Sequence, residues 1–131
     1  MTAQTGFNSG RQGPGPAFVS DRSGSAHAAF MRLSARALAP LGALTAWYLI
    51  EIVGKPWDAA RAVLGRPLPA AALILFIIVA MLHARQGANE IIEDYVHDAA
   101  LKEKARIANT WVSRAIAAVW TIAILVIAAP K

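Results

Sequence analysis

The chain contains no cysteine, which excludes disulfides, thiolate metal sites and cysteine-ligated iron–sulfur clusters within it. It is also poor in charge. Charged residues make up 16% of its 131 positions, against about 25% in an ordinary soluble domain. Hydrophobic residues make up 56%, and they fall in long blocks. A helix of a soluble protein keeps one wet face, whereas whole stretches here have none. A soluble enzyme is thereby excluded, and the length allows one domain at most. There is no phosphate-binding glycine loop, no dinucleotide fingerprint, no HExxH zinc motif and no acylating-serine motif.

The charge that is present is unbalanced, with 13 Lys+Arg against 8 Asp+Glu and a net charge of +5. The basic residues flank apolar blocks and form no single stripe, so membrane topology explains them better than a nucleic-acid partner does. Residues 1–24 are polar and rich in Gly, Ser, Gln and Pro. They lack the apolar core of a secretory signal and read as a flexible tail that stays on the side of synthesis. Residues 25–131 then read as one transmembrane anchor domain.

Three apolar blocks predict an all-α membrane protein with spans at about residues 33–53, 67–86 and 107–129. Pro40 interrupts the first span and Glu51 lies near its far end, with Trp47 and Tyr48 approaching that interface. Asp58 to Arg66 reads as a short interfacial segment ending at Gly65. The second block is the clearest, because no charge occurs in the 18 residues between Arg66 and Arg85; crossing a bilayer core takes about 20 residues. Its helix is expected to run on through His83, Gly87 and Glu90. Glu93 to Arg106 is polar and turns the chain back, and the third span carries Arg114 one turn inside.

Orientation follows from Lys and Arg. Arg11, Arg22, Arg32 and Arg36 precede or open the first span, and Arg85, Lys102, Lys104, Arg106 and Arg114 lie on the same side. Lys55, Arg61, Arg66 and Lys131 lie on the other. Nine against four places the N-terminus in the cytoplasm and the C-terminus outside.

His83 is the most informative residue, because an ionisable group at the end of an apolar run is costly and is a functional candidate by default. A neutral imidazole there either ligates haem iron between membrane helices or caps the span on a carbonyl or headgroup. His83, Gly87, Glu90 and Asp94 are spaced by four, three and four, which puts them on one face of a continuing helix. Gly87 would let another element approach closely, while Glu90 and Glu93 also fit a solvated face beyond the membrane. Tyr95, beside Asp94, is placed to hydrogen-bond a carbonyl oxygen such as that of a quinone, or to serve as an interfacial belt residue. Arg32 and Arg36 fit either an anionic cofactor group or positive-inside topology. His27 and His97 sit in polar flanks and read as surface residues.

The segment His83-Ala84-Arg85-Gln86-Gly87, followed by Glu90 and by Asp94-Tyr95-Val96, resembles the signature of the smaller, D-type hydrophobic anchor subunit of succinate dehydrogenase. Gly24-Ser25-Ala26-His27 and Met31-Arg32-Leu33-Ser34-Ala35 are similar to that family's segment at the start of its first span. The resemblance covers about residues 22–131. It implies a subunit that tethers a flavoprotein and an iron–sulfur subunit to the inner (cytoplasmic) membrane of a bacterium. A second, cytochrome b-type anchor subunit would share a haem b with it and help form a ubiquinone site, with no nucleic acid involved. By position, His83 matches the axial haem ligand, Tyr95 the quinone-binding tyrosine, Asp94 its acidic neighbour, and Arg32 an arginine near the haem propionates and quinone pocket. The chain offers one intramembrane His, so a six-coordinate haem would take its second ligand from another chain. The chain would not be catalytic alone; electrons from succinate would reach quinone through the iron–sulfur partner. The competing readings are a fumarate reductase anchor, an anchor without cofactor, and a small oligomeric pore of the holin kind.

Overall fold

The computed structural model describes residues 23–130. Most of the segment read as a tail, with Arg11 and Arg22, lies outside the described residues, as does Lys131. Among the described residues there are four helices, α1 (Ser23–Ile52), α2 (Trp57–Leu64), α3 (Pro67–Tyr95) and α4 (Ala99–Ala128), and no strand. Three of them are long and apolar enough to cross a bilayer.

The long helices have 30, 29 and 30 residues. At 1.5 Å per residue each is about 45 Å long, well beyond a hydrocarbon core of about 30 Å. Hydropathy therefore marks where each helix leaves the membrane and not where it ends. α1 starts at Ser23, ahead of the apolar block that begins at Leu33. α3 runs through His83, Gly87 and Glu90 to Tyr95, as the spacing predicted. The polar return between Glu93 and Arg106 narrows to the three residues Val96–Asp98. The Asp98 side chain accepts from the Leu101 backbone N–H at 2.7 Å, an N-cap. The Ala, Leu, Lys and Glu residues that follow are strong helix formers, so α4 begins in water and carries on into the membrane.

Pro40 lies inside the first span, and α1 passes through it as one helix. Pro40 is exposed, so its ring projects away from the packed face. The one carbonyl it leaves unpaired is tolerated in a long membrane helix. α1 ends where Gly54 takes a positive φ of 75°, which glycine adopts without steric cost. The interfacial segment expected after it is α2. Arg61 of α2 donates from Nε to the Ile127 carbonyl and from Nη2 to the Ala129 carbonyl, both at 3.2 Å, and so caps the carbonyl end of α4. This crossing needs Gly65, where a Cβ would lie 3.0 Å from the Arg61 carbonyl oxygen and 3.2 Å from that of Ile127.

α3 is the central helix. It packs against α1 on one side and α4 on the other, while α1 and α4 do not pack against each other. Toward the C-terminal end of α4, Ala70 and Leu73 of α3 meet Ile124 in a small apolar core. Toward the opposite end the contact is polar, with Asn109 Nδ2 donating to the Arg85 carbonyl at 2.9 Å and to Asn89 Oδ1 at 2.8 Å. The arrangement buries little. Only 11%, 22% and 6% of the three apolar windows is buried within the chain, and Trp47, Leu75 and Trp120 are exposed. That surface needs lipid or another chain around it.

Asn109→Ala should loosen α4 from α3 by about 1 kcal/mol, the usual size of an interhelical hydrogen bond in lipid. Unfolding titrations in mixed micelles, run as a double-mutant cycle with Asn89→Ala, measure this. A coupling energy of zero would refute the clamp.

Candidate functional site at the α1–α3 seam

α1 and α3 run antiparallel in constant register. His27 faces Glu90, Met31 faces Gly87, Ser34 faces His83 and Gly42 faces Phe76. Residues seven apart fall on the same helix face, so the seam carries two polar rungs one heptad apart. The lower is the hydrogen bond between His27 Nε2 and Glu90 Oε1. The upper is a 2.8 Å hydrogen bond between Ser34 Oγ and His83 Nδ1. His27, read from the sequence as a surface residue, is in fact a bridge to α3, and Glu90 is its partner. Gly87 does face α1, but a Cβ there would sit 3.8 Å from the Met31 methyl, an ordinary contact. The tighter contact along the seam is at Gly42, where a Cβ would lie 3.4 Å from the Phe76 ring.

The upper rung fixes chemistry. Ser34 is buried at 6% exposure, and its Oγ lies 2.8 Å from the Phe30 carbonyl and 3.2 Å from that of Met31. Carbonyls only accept, and the hydroxyl has one proton. If that proton goes to His83, a single hydrogen bond forms. If it goes back to the helix carbonyl, Oγ still accepts from a protonated Nδ1 and two bonds form. In a low-dielectric site the arrangement with more bonds wins. The seam thus assigns His83 the tautomer with Nδ1–H held and the Nε2 lone pair free, the form in which an imidazole ligates a metal. His83 Nε2 has no protein partner among the described residues. No group of three or more His, Cys, Asp or Glu able to hold a metal ion occurs among them either; a metal at His83 would need further ligands from outside this chain.

The other residues singled out from the sequence are not gathered around His83. Tyr95 is the last residue of α3 and is 77% exposed. Twelve residues separate it from His83, which is about 18 Å along a helix. Asp94 is eleven residues from His83, on nearly the same helix face. It lines a polar crevice of about 650 Å³ with His27, Glu90, Glu93 and Arg106. Glu93 in that crevice pairs with Lys102 at 3.3 Å and Arg106 at 3.1 Å, tying the end of α3 to the start of α4. Arg32 and Arg36 are exposed. Each is two residues from Ser34, about 200° around α1, so they project from the flank away from the seam. His97 is exposed in the α3–α4 turn.

Sequence reading missed Ser34, which is unremarkable as a residue type, and also Asn109 and the His27–Glu90 rung. The heptad spacing of His27 and Ser34 on one helix, matched by Glu90 and His83 on the other, was the available signal. It becomes visible only once the two helices are known to be antiparallel neighbours.

Three long apolar helices, with the seam's polar rungs toward one end, define a small multi-pass membrane protein. The chain belongs to the succinate dehydrogenase/fumarate reductase transmembrane subunit family, whose model matches residues 16–128. Searches of curated proteins and of solved structures returned no significant match.

The tautomer can be read directly. Imidazole 15N shifts of His83 in the haem-free chain should show a protonated Nδ1, and Ser34→Ala should produce a mixture of tautomers. A wild-type spectrum with Nε2 protonated would overturn the assignment.

Proposed function

We propose that this chain is the smaller anchor subunit of a succinate dehydrogenase. In this reading it holds a haem b jointly with a second anchor subunit, contributes to a ubiquinone site, and tethers the flavoprotein and iron–sulfur subunits to the inner membrane of a bacterium. Its N-terminus and its α3–α4 turn face the cytoplasm, with the anchor domain running from residue 25 to the C-terminus after a polar tail. Family membership supports the complex. The observation that carries the cofactor reading is the Ser34–His83 hydrogen bond, because it presents an imidazole Nε2 at the edge of the apolar run.

The residues fit a haem in donor chemistry. His83 Nε2 would donate to the haem iron, and the Ser34 hydroxyl accepting from Nδ1–H fixes the ring's orientation for it. His27 is engaged by Glu90, one heptad or about 10 Å along the seam, so a further ligand to the iron would come from the partner anchor. When bound, the haem supplies a one-electron redox centre within the membrane. Arg32 sits on the flank of α1, where its guanidinium can pair with a propionate carried alongside that helix.

Tyr95 and Asp94 stand about 18 Å and about 16 Å along α3 from His83, which separates the proposed quinone contact from the proposed haem contact. Tyr95 donates its hydroxyl to a quinone carbonyl oxygen. Asp94, in the water-accessible crevice, is placed to pass a proton toward that oxygen as the quinone is reduced. The succinate chemistry itself stays with the large partners.

His83→Ala should remove the b-type absorption from the purified complex while the four subunits still co-purify; an unchanged haem spectrum would reject the ligand role. Tyr95→Phe should lower quinone reduction about threefold to tenfold, the worth of one hydrogen bond, and leave succinate oxidation by a soluble artificial acceptor intact. An equal fall in both activities would mark an assembly defect and remove Tyr95 from the quinone site.

A further inference from the structure

On the α4 side of α3, separate from the seam, lies a cleft of about 210 Å³ between the two helices. Its lower wall is apolar, with Ile78, Met81 and Leu82. Its upper wall carries Arg85 from α3, and Arg114 and Ser113 from α4. Arg85 is the first charge after the uncharged run of α3, so the change from apolar to cationic falls where hydrocarbon gives way to headgroups.

Neither arginine has an ion-pair partner among the described residues. The ion pairs among the described residues join His27 to Glu90, Lys55 to Glu51, and Lys102 and Arg106 to Glu93; none includes Arg85 or Arg114. Arg85 Nε is shielded from solvent and has no hydrogen-bond acceptor. A buried, charged donor without an acceptor is strongly unfavourable. Arg114 lies over the Trp111 ring at 5.7 Å, which holds its charge at the interface. Two guanidiniums suit the oxygens of a phosphodiester, which they engage bidentately. The apolar wall below suits an acyl chain.

We propose that this cleft binds an anionic phospholipid from the leaflet on the α3–α4 turn side. Its phosphate sits on Arg85 and Arg114, and one acyl chain lies along Ile78, Met81 and Leu82, while the Ser113 hydroxyl stays bonded to Asn109 Oδ1. The bound lipid supplies the acceptor that Arg85 lacks and seals the outer face of the α3–α4 pair. This site is independent of any cofactor at His83.

The test is native mass spectrometry of the intact membrane complex, tagged on this chain, stripped of lipid and reconstituted with phosphatidylglycerol or phosphatidylcholine. Wild type should retain phosphatidylglycerol over phosphatidylcholine by about tenfold, and Arg85→Gln and Arg114→Gln should each lower that retention about tenfold, as expected for a lost charge-assisted hydrogen bond. Arg85→Gln leaves the backbone carbonyl that Asn109 uses, so the helix pair stays clamped. Lys104→Gln, outside the cleft, should change nothing. Added inorganic phosphate should not displace the lipid, because the acyl contact remains. Equal retention of the two lipids, insensitivity to both arginine variants, displacement by inorganic phosphate, or a partner carboxylate cross-linked to the cleft would each overturn the proposal.

Discussion

Ser34 has one proton to give and three acceptors within reach, and the way that conflict resolves shapes the functional half of the molecule. Backbone carbonyls cannot donate, so pairing is greatest when the hydroxyl bonds back to its own helix and the imidazole of His83 bonds to the hydroxyl. The same contact joins α1 to α3 at mid-seam, sets their register, and leaves Nε2 without a partner among the described residues. Sited at the end of an apolar run, this bond is shielded from the water that would otherwise compete for both groups. The His27–Glu90 rung one heptad away repeats the register where the helices have emerged from hydrocarbon.

The rest of the chain is organised by how little it can bury. α3 touches both neighbours while α1 and α4 leave each other free, so most apolar side chains face outward. Lipid tails offer those side chains no less than protein does, and what holds such helices together is close packing and interhelical hydrogen bonding. The contacts that pin this fold accordingly come from few residues. Asn109 reaches a carbonyl and an amide on α3, Arg61 closes the end of α4, and Glu93 gathers two cations at the α3–α4 turn. An outward-facing surface of this extent fits a family whose members act as the transmembrane part of a larger enzyme.

Much of the architecture was legible in the sequence. The uncharged run from Pro67 to Ala84 and the Trp and charge flanks of the other blocks gave three membrane helices. The spacing of His83, Gly87, Glu90 and Asp94 correctly extended the second of them. Helix ends were less legible, because hydropathy reports the membrane boundary and helix formers such as Ala99 to Lys104 continue the helix in water. Pro40 sits within a continuous α1, as a proline on an outward face of a long membrane helix can. At the site, His83 stood out by its cost in an apolar setting. Ser34 did not, because a serine near a membrane interface is unexceptional until its neighbour is known. The separation of Tyr95 from His83 was implicit in a continuous α3; the exposure of Tyr95 was not.

The central claim is that His83, oriented by Ser34, ligates a haem within a larger respiratory assembly. The most direct measurement is a reduced-minus-oxidised absorption spectrum of the material that co-purifies, in mild detergent, with this chain alone tagged. The account predicts a b-type haem signal together with a large flavoprotein, an iron–sulfur protein and a second small hydrophobic chain. The same partners without a haem signal would contradict the role given to His83.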